Sequence, residues 1–444
     1  MANAKVFLWS LVVALGGFLF GFDTAVISGA EKDIQNYWKL DVFAHGLTVS
    51  IALIGTVVGS LLGGIPSDRL GRKKTLFWIG VLYLVSAVGS AVTTGWGAFL
   101  FFRLLGGIGV GASSVTAPLY ISEIAPANAR GKLVAMFQFN VVFGILVSYL
   151  SNYLLAGIGD NDWRWMLGVI AIPSLAFMGA VLGVPESPRW LILRRGRTDE
   201  ARRILALANP PGTDVDRIVA EIEQSAREAG QQTQKAAFFS RPYFRPISLA
   251  FLFAFFNQVS GINAIIYYAP RIFELAGLTE SAALLSSAGI GLVNLVFTLI
   301  GLNFIDRVGR RTLMLVGSVG LIVTLGLVAY AFYSNQTGYA VPVYLFVYIA
   351  FFAFSQGAVI WVFISEIFPN EVRANGQALG SFTHWFMAAV IAFTFPYIAE
   401  TLGGGNTFLF FCTMMVLQLL FVWRMMPETK GTSLEQIGRN VVMH

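Results

Sequence analysis

The sequence predicts an all-α membrane protein of twelve transmembrane helices, set as two similar six-helix bundles with short helices in the linker between them. Three observations carry this. Of 444 residues, 56% are hydrophobic and only 12% charged, with a mean hydropathy of +0.70. A soluble globular chain carries roughly twice that charged fraction, so the excess apolar surface requires lipid as its solvent. Twelve apolar runs each approach the roughly 20 residues that a spanning helix needs. Three landmarks of the first half then return in the second, in the same order and at a nearly constant offset. Asp68-Arg69-Leu70-Gly71-Arg72-Lys73-Lys74 returns as Asp306-Arg307-Val308-Gly309-Arg310-Arg311. Ser122-Glu123-Ile124 with Arg130 returns as Ser365-Glu366-Ile367 with Arg373, and Pro185-Glu186-Ser187 as Pro427-Glu428-Thr429. Such self-similarity marks a duplicated chain.

The runs lie near 8–29, 47–67, 75–93, 97–121, 133–155 and 164–184 in the first half, and near 247–269, 283–304, 312–333, 342–364, 376–399 and 407–426 in the second. Six spans return the chain to the side it started from, so the repeat is parallel. The first run is too long for a cleaved signal peptide and lacks a small-residue cleavage site, which makes it a retained span. With the N-terminus inside, the outer loops hold only Lys32, Lys39, Arg164 and Arg271 among the basic residues. The inner side holds Lys5, both repeated clusters, Arg130, Lys132, Arg373, the tail and the middle loop. This bias places both termini in the cytoplasm. It also assigns the net charge of +6 to membrane orientation rather than to nucleic acid. The expected divisions are a bundle over 1–188, a linker over 189–245, a second bundle over 246–430 and a cytoplasmic tail over 431–444.

Within the linker, Leu191 to Leu207 has helical spacing and a basic face of Arg194, Arg195, Arg197, Arg202 and Arg203. Asp214 to Ala229 reads as an amphipathic helix with Ile218, Ile222 and Ala226 on one face, and Pro210-Pro211-Gly212 separates the two. The pair is read as a tether on the cytoplasmic face. The single cysteine, Cys412, lies in the last run and excludes an internal disulfide framework.

Charges near or within the membrane are the candidate working groups. Asp68, Arg69 and Arg72 follow span 2, Glu123 and Arg130 flank the inner end of span 4, and Glu186 and Arg189 follow span 6. Anchoring at the interface needs only Lys and Arg. Carboxylates among them suggest pairs that hold the inner side closed and break when it opens. Asp23 and Arg103 lie at membrane depth, each six residues from the outer end of its span, or about 9 Å at 1.5 Å per residue. Matched depth permits pairing. The pair then serves either as a fixed structural bridge or as a proton site, where Asp23 binds Arg103 when ionised and releases it when protonated. Mid-membrane amides both donate and accept, which suits an uncharged polar ligand. Gln138, Asn257, Gln258, Asn263 and Asn294 are such groups, and Trp361 and Trp385 offer flat apolar faces. Each amide alone is equally an interhelical hydrogen bond. Ser260-Gly261 weakens the helix between Gln258 and Asn263, so both can turn to one cavity.

The Asp-Arg-x-Gly-Arg loops together with Pro185-Glu186-Ser187-Pro188-Arg189 and Pro427-Glu428-Thr429-Lys430-Gly431 resemble the sugar porter family of the major facilitator superfamily. The similarity runs from about Gly16 to Gln436. Gly16-Gly17-Phe18-Leu19-Phe20-Gly21-Phe22-Asp23-Thr24 is similar to the first-helix motif of bacterial proton–xylose symporters. Gln258-Val259-Ser260-Gly261-Ile262-Asn263, with Tyr267-Tyr268, is similar to the seventh-helix motif of sugar-binding members. The resemblance implies the superfamily fold, a bacterial inner membrane and uptake of a monosaccharide, with a hexose such as glucose and protons as partners beside membrane lipid. It maps the five amides and both tryptophans onto pocket positions and adds Phe20. It extends the inner-gate role to Asp306, Arg307, Arg310, Glu366, Arg373 and Glu428. Symporter-like members carry Asp at position 23, where animal facilitative carriers carry Asn, which favours proton coupling over a uniporter. A non-transporting sensor of long cytoplasmic tail is disfavoured by the short stretch after the last span.

Four departures from the family pattern bear on the pocket. Asn257-Gln258 stands where two glutamines are usual, and Ile145 replaces a second glutamine, as in glucose carriers. His384 precedes Trp385 where Asn or Gln is usual, and Gln356 replaces a common Trp or Pro. His384 and Gln356 therefore join the candidate sugar contacts. No enzyme constellation, metal site or cofactor is expected: His45, His384 and His444 lack ligand spacing. The glycines between Leu105 and Gly111 lie inside an apolar span with no preceding strand, and fit close helix packing better than a nucleotide loop.

Overall fold

The computed structural model describes residues 4–126, 129–231, 238–369 and 372–430, and among them it is helical without a strand. The first half comprises α1 (Ala4–Trp38), α2 (Val42–Leu62), α3 (Gly64–Leu70), α4 (Arg72–Val92), α5 (Trp96–Ile124), α6 (Arg130–Leu155), α7 (Asp162–Gly168) and α8 (Ala171–Leu182). The linker holds α9 (Pro188–Trp190), a wide turn over Leu191–Arg195, α10 (Thr198–Ala208) and α11 (Val215–Gln231). The second half comprises a short turn over Arg241–Tyr243, then α12 (Phe244–Val259), α13 (Ile262–Leu275), α14 (Glu280–Val308), α15 (Arg310–Tyr333), α16 (Ala340–Phe354), α17 (Gln356–Glu366) and α18 (Arg373–Arg424).

Among the described residues, eleven helical stretches are long and apolar enough to cross a membrane. The last, α18, has 52 residues, about 78 Å at 1.5 Å each and more than twice the ~30 Å hydrocarbon thickness. It breaks at Gly403, whose φ of 75° is non-helical. The two expected final spans are the two arms of this helix. Other spans break where the sequence offers the means. Gly261 separates α12 from α13 with a φ of 87°, a conformation open to glycine at little cost. Ser355 separates α16 from α17.

The linker differs from expectation in one place. Leu191 to Leu207 is not one helix, because Gly196 adopts a left-handed φ of 64° and the Arg197 N–H returns to the Leu191 carbonyl. That turn ends the first segment, and α10 begins afresh at Thr198. The expected tail over 431–444, with His444, lies outside the described residues.

The chain gathers into two compact units. One contains the chain up to Thr24, Gly55–Ile145 and the stretch from Leu167 into the linker. Its glycines set the packing distance: a Cβ on Gly59 of α2 would stand 2.2 Å from the Ile108 carbonyl of α5, and one on Gly111 would stand 2.3 Å from that of Thr56. The other unit contains Ala25–Ile54, Leu146–Met166 and the second half. Within it, the Trp38 end of α1, the Val42 end of α2 and the Leu155 end of α6 pack on α13 and α18. The Tyr149 hydroxyl donates to the Ile266 carbonyl at 2.7 Å, and a Cβ on Gly46 would meet the Phe393 carbonyl at 2.2 Å.

Candidate functional site

The two repeated clusters are built on the same plan. In the first, Gly71 turns the chain between α3 and α4 at a φ of 99°. The Arg72 guanidinium then grips Glu123 of α5 with two parallel bonds, Nε to Oε2 and Nη2 to Oε1, both 2.9 Å. Its Nη1 donates to Asp68 at 3.1 Å and to the Ser67 carbonyl at 3.0 Å. Glu186 sits at the N-terminus of α4, where its Oε1 accepts from the backbone N–H of Arg72 (2.9 Å) and of Lys73 (3.2 Å). A carboxylate there satisfies orphan donors and complements the helix dipole. Burial still pushes the Glu186 carboxyl up from its ordinary range, opposed by the N–H groups it accepts from. The Ser187 hydroxyl completes the cluster by donating to Glu123 at 2.6 Å.

The second cluster repeats this with Gly309 at a φ of 100°. Arg310 reaches Glu366 by Nε (3.3 Å) and Nη2 (2.8 Å), and Asp306 by Nη1 (2.9 Å). Glu428 accepts from the N–H groups of Arg310 and Arg311, both at 3.0 Å, and the Thr429 hydroxyl donates to Glu366 at 2.6 Å. Each cluster ties together helix ends of its own half.

The remaining expected gate residues stand elsewhere. Arg69, Arg130, Arg189 and Arg307 are exposed, with no side-chain bond among the described residues. Arg373 bonds the Phe368 carbonyl by Nε (3.2 Å) and Nη2 (3.1 Å), not an acid. A charge pattern gives the position of a basic residue and not its direction. Ser187 and Thr429 were absent from the expected set, although the repeated Pro-Glu-Ser/Thr carried them.

Asp23 and Arg103 come together. Nη1 donates to Oδ1 at 2.6 Å, Nη2 reaches the Asp23 backbone carbonyl at 3.3 Å, and both side chains are buried. Arg103 Nε has no partner among the described residues. The guanidinium thus holds the carboxylate by one arm rather than by the two-armed grip seen at Arg72.

The candidate sugar groups of the second half form a chain of amides around the α12–α13 break. Gln258 Nε2 donates to Asn257 Oδ1 at 2.8 Å and faces His384 Nδ1 at 2.9 Å. Gln258 Oε1 accepts from Asn263 Nδ2. Gln258 Nε2 also lies 3.3 Å from His384 Nε2, so the ring nitrogen that accepts from the amide depends on the tautomer. The His384 ring lies 4.9 Å from that of Trp361 and 4.8 Å from that of Trp385. Trp361 is partly open and Trp385 buried. Gln356 is fully buried with its Nε2 on the Met415 sulfur at 3.4 Å, and its backbone carbonyl takes Asn257 Nδ2 at 3.5 Å. Both contacts make it an interhelical strut. Asn294 is half-buried on α14 and accepts from Thr298 at 3.3 Å. In the other unit, Phe20 lies 6.4 Å from Phe137, next to the half-buried Gln138.

This architecture matches known proteins over nearly its whole length. The family described as sugar (and other) transporter matches residues 9–441. The chain belongs to the sugar transporter family. A D-xylose-proton symporter of Escherichia coli is 35% identical over 98% of this chain and 95% of its own. A glucose transport protein of Synechocystis is 36% identical over 98% of both chains. Among solved structures, the inward open conformation of the xylose transporter XylE from E. coli superposes with a TM-score of 0.87, at 33% identity over 98% of this chain and 99% of that one. The protein is therefore a multi-pass membrane sugar porter of the major facilitator superfamily and not an enzyme. The paired charge clusters and the amides at the α12–α13 break are read as parts of a sugar porter.

Proposed function

We propose that this porter takes up a monosaccharide, with a hexose such as glucose as its substrate, by alternating access coupled to protons through Asp23. The buried Asp23–Arg103 pair carries the reading. A carboxylate out of water needs a cation or a proton. A single-armed bond between groups on two helices lets the proton replace Arg103 and the carboxylate retake it. The name of the E. coli relative, a xylose-proton symporter, supports coupling. The name of the Synechocystis relative, and Ile145 where xylose carriers hold an amide, support a hexose. Gln258, Asn263, His384 and Asn294 are the proposed hydroxyl partners in the second half, with Trp361 on the sugar's C–H face and Gln138 and Phe20 as contacts from the first. The halves 1–188 and 246–430 are the proposed moving bodies, and the distribution of basic residues supports a cytoplasmic side for the clusters at Gly71 and Gly309 and for both termini.

The test is uptake into proteoliposomes free of internal sugar, with labelled glucose, xylose and arabinose and an acidic exterior. Glucose should accumulate above its external concentration and lose that excess when the gradient collapses. Equilibration without accumulation at every imposed gradient leaves a uniporter with a fixed ion pair. Accumulation of xylose in preference to glucose overturns the hexose assignment alone.

A further inference from the structure

A buried acid–base cluster lies where the C-terminal part of α1 and the start of α2 meet α13, on what the proposed orientation makes the outer side. Glu31 sits on α1 and His45 on α2, and both are buried to within 1%. Glu31 Oε2 stands 2.6 Å from His45 Nε2, and Oε1 accepts from Arg271 Nε of α13 at 2.9 Å. Arg271 Nη2 also donates to Gln35 at 2.5 Å, and Lys32 bridges to Glu274 at 2.6 Å. From α13, the Tyr268 ring lies 6.1 Å from that of His45, its hydroxyl spent on the Ala392 carbonyl. From α6, Asn152 bonds the Val26 carbonyl. From α18, Phe393 packs on Phe43 and brings no charge. At the rim, Asp33 acts on both Glu31 and Lys32, Glu280 on Lys32 and Asp33, and Asp162 on Asp33. His45 Nδ1 has no partner among the described residues.

We propose that His45 is a second proton-binding site, loaded from outside, whose protonation favours release of α1 and α2 from α13. Glu31 and His45 belong to the first half, and Arg271 to the second. While the contact is shut, Arg271 supplies the positive charge that Glu31 requires. A second charge on His45 would crowd two cations onto one carboxylate and bury an Nδ1–H with no acceptor, which is costly. When α13 withdraws, Glu31 loses its cation and water reaches the ring. His45 then takes a proton in place of Arg271. The proton and Arg271 compete for one carboxylate, and a ligand that prefers one state shifts the population towards it. As external pH falls, the outer side opens. The device rests on the orientation proposed above and not on Asp23, so it serves a symporter or a uniporter.

Spin labels at Asp160→Cys and Asn335→Cys, in a Cys412→Ser background, report the separation of the two outer loops in the full chain. The ratio of long to short distances should rise between pH 8 and pH 5, by at most about tenfold per pH unit for a single proton. His45→Gln should diminish the rise, His45→Gln with Asp23→Asn should abolish it, and Arg271→Gln should raise the ratio already at pH 8. Asp23→Asn and His384→Gln should keep the shift. A wild-type ratio that does not move, or an undiminished shift in His45→Gln, overturns the proposal. If His45→Gln fails to fold, His45→Asn decides in its place: it too lacks a titrating ring, so an undiminished shift is equally fatal.

Discussion

Gln258 is the residue on which the proposed sugar site turns. Its amide meets three partners, Asn257, His384 and Asn263. Gln258→Ala leaves those partners unpaired as well as any sugar hydroxyl, whereas Asn263→Ala frees only Gln258 Oε1 and the hydroxyl it served. Each unmet buried bond costs roughly 1–3 kcal/mol, so Asn263→Ala should weaken sugar binding by about 5- to 150-fold and Gln258→Ala by more. Calorimetric titration decides this, and wild-type affinity in both variants removes them from the site. His384→Gln keeps a donor and an acceptor at the same place and should retain most of the affinity, as expected of a neutral hydrogen-bonding ring. The sequence marks these residues by type and depth alone. It cannot show that Gln356, of the same type, points at Met415 instead.

The helix ends at Gly71 and Gly309 show what a motif conveys and what it leaves out. The duplicated Asp-Arg-x-Gly-Arg stretch locates Arg72 and Arg310, and the repeated Ser-Glu and Pro-Glu pairs locate their acids. The two-armed grip follows from planar guanidinium geometry, which Lys cannot reproduce. Arg72→Lys should therefore slow transport and lower thermal stability while leaving sugar binding close to wild type. Removing one partner of a buried pair costs about 3–5 kcal/mol, so Glu123→Ala should be more severe. Arg130→Ala, at an exposed and unbonded position, should stay within about 0.5 kcal/mol of wild type. Melting curves and initial uptake rates measured side by side separate the cases, and equal losses in Arg130→Ala and Arg72→Lys would return the cluster to interfacial anchoring. Gly71→Ala tests the turn itself: its φ of 99° is glycine territory, and the new Cβ would stand 2.3 Å from Glu186 Oε2. The outer cluster escaped the sequence reading for a different reason. The apolar run of α1 ends near 29, but the helix continues to Trp38, so Glu31, Lys32 and Asp33 looked like the start of a loop.

At the scale of the whole molecule, span number and duplication were legible because lipid imposes a length and a polarity on every crossing. The compact units were not, since Ala25–Ile54 and Leu146–Met166 of the first half cluster with the second, and contacts of that kind leave no periodic trace. Coupling is likewise a property of the whole cycle, and Asp23→Asn isolates it. The amide keeps the size of the acid and a hydrogen-bonding oxygen for Arg103, but it cannot titrate. The two halves of the cycle that exchange sugar need no net proton movement, so binding and exchange of labelled for unlabelled sugar should persist. Accumulation driven by an acidic exterior should vanish, leaving equilibration. The substitution also strips Arg103 of its counter-charge, and a conformational bias from that source would mimic uncoupling. Asp23→Asn with Arg103→Gln removes both charges together and relieves the bias. If the double variant exchanges sugar freely and still fails to accumulate it, the loss belongs to the missing proton site. If it accumulates sugar as the wild type does, the proton travels elsewhere and Asp23 is a strut.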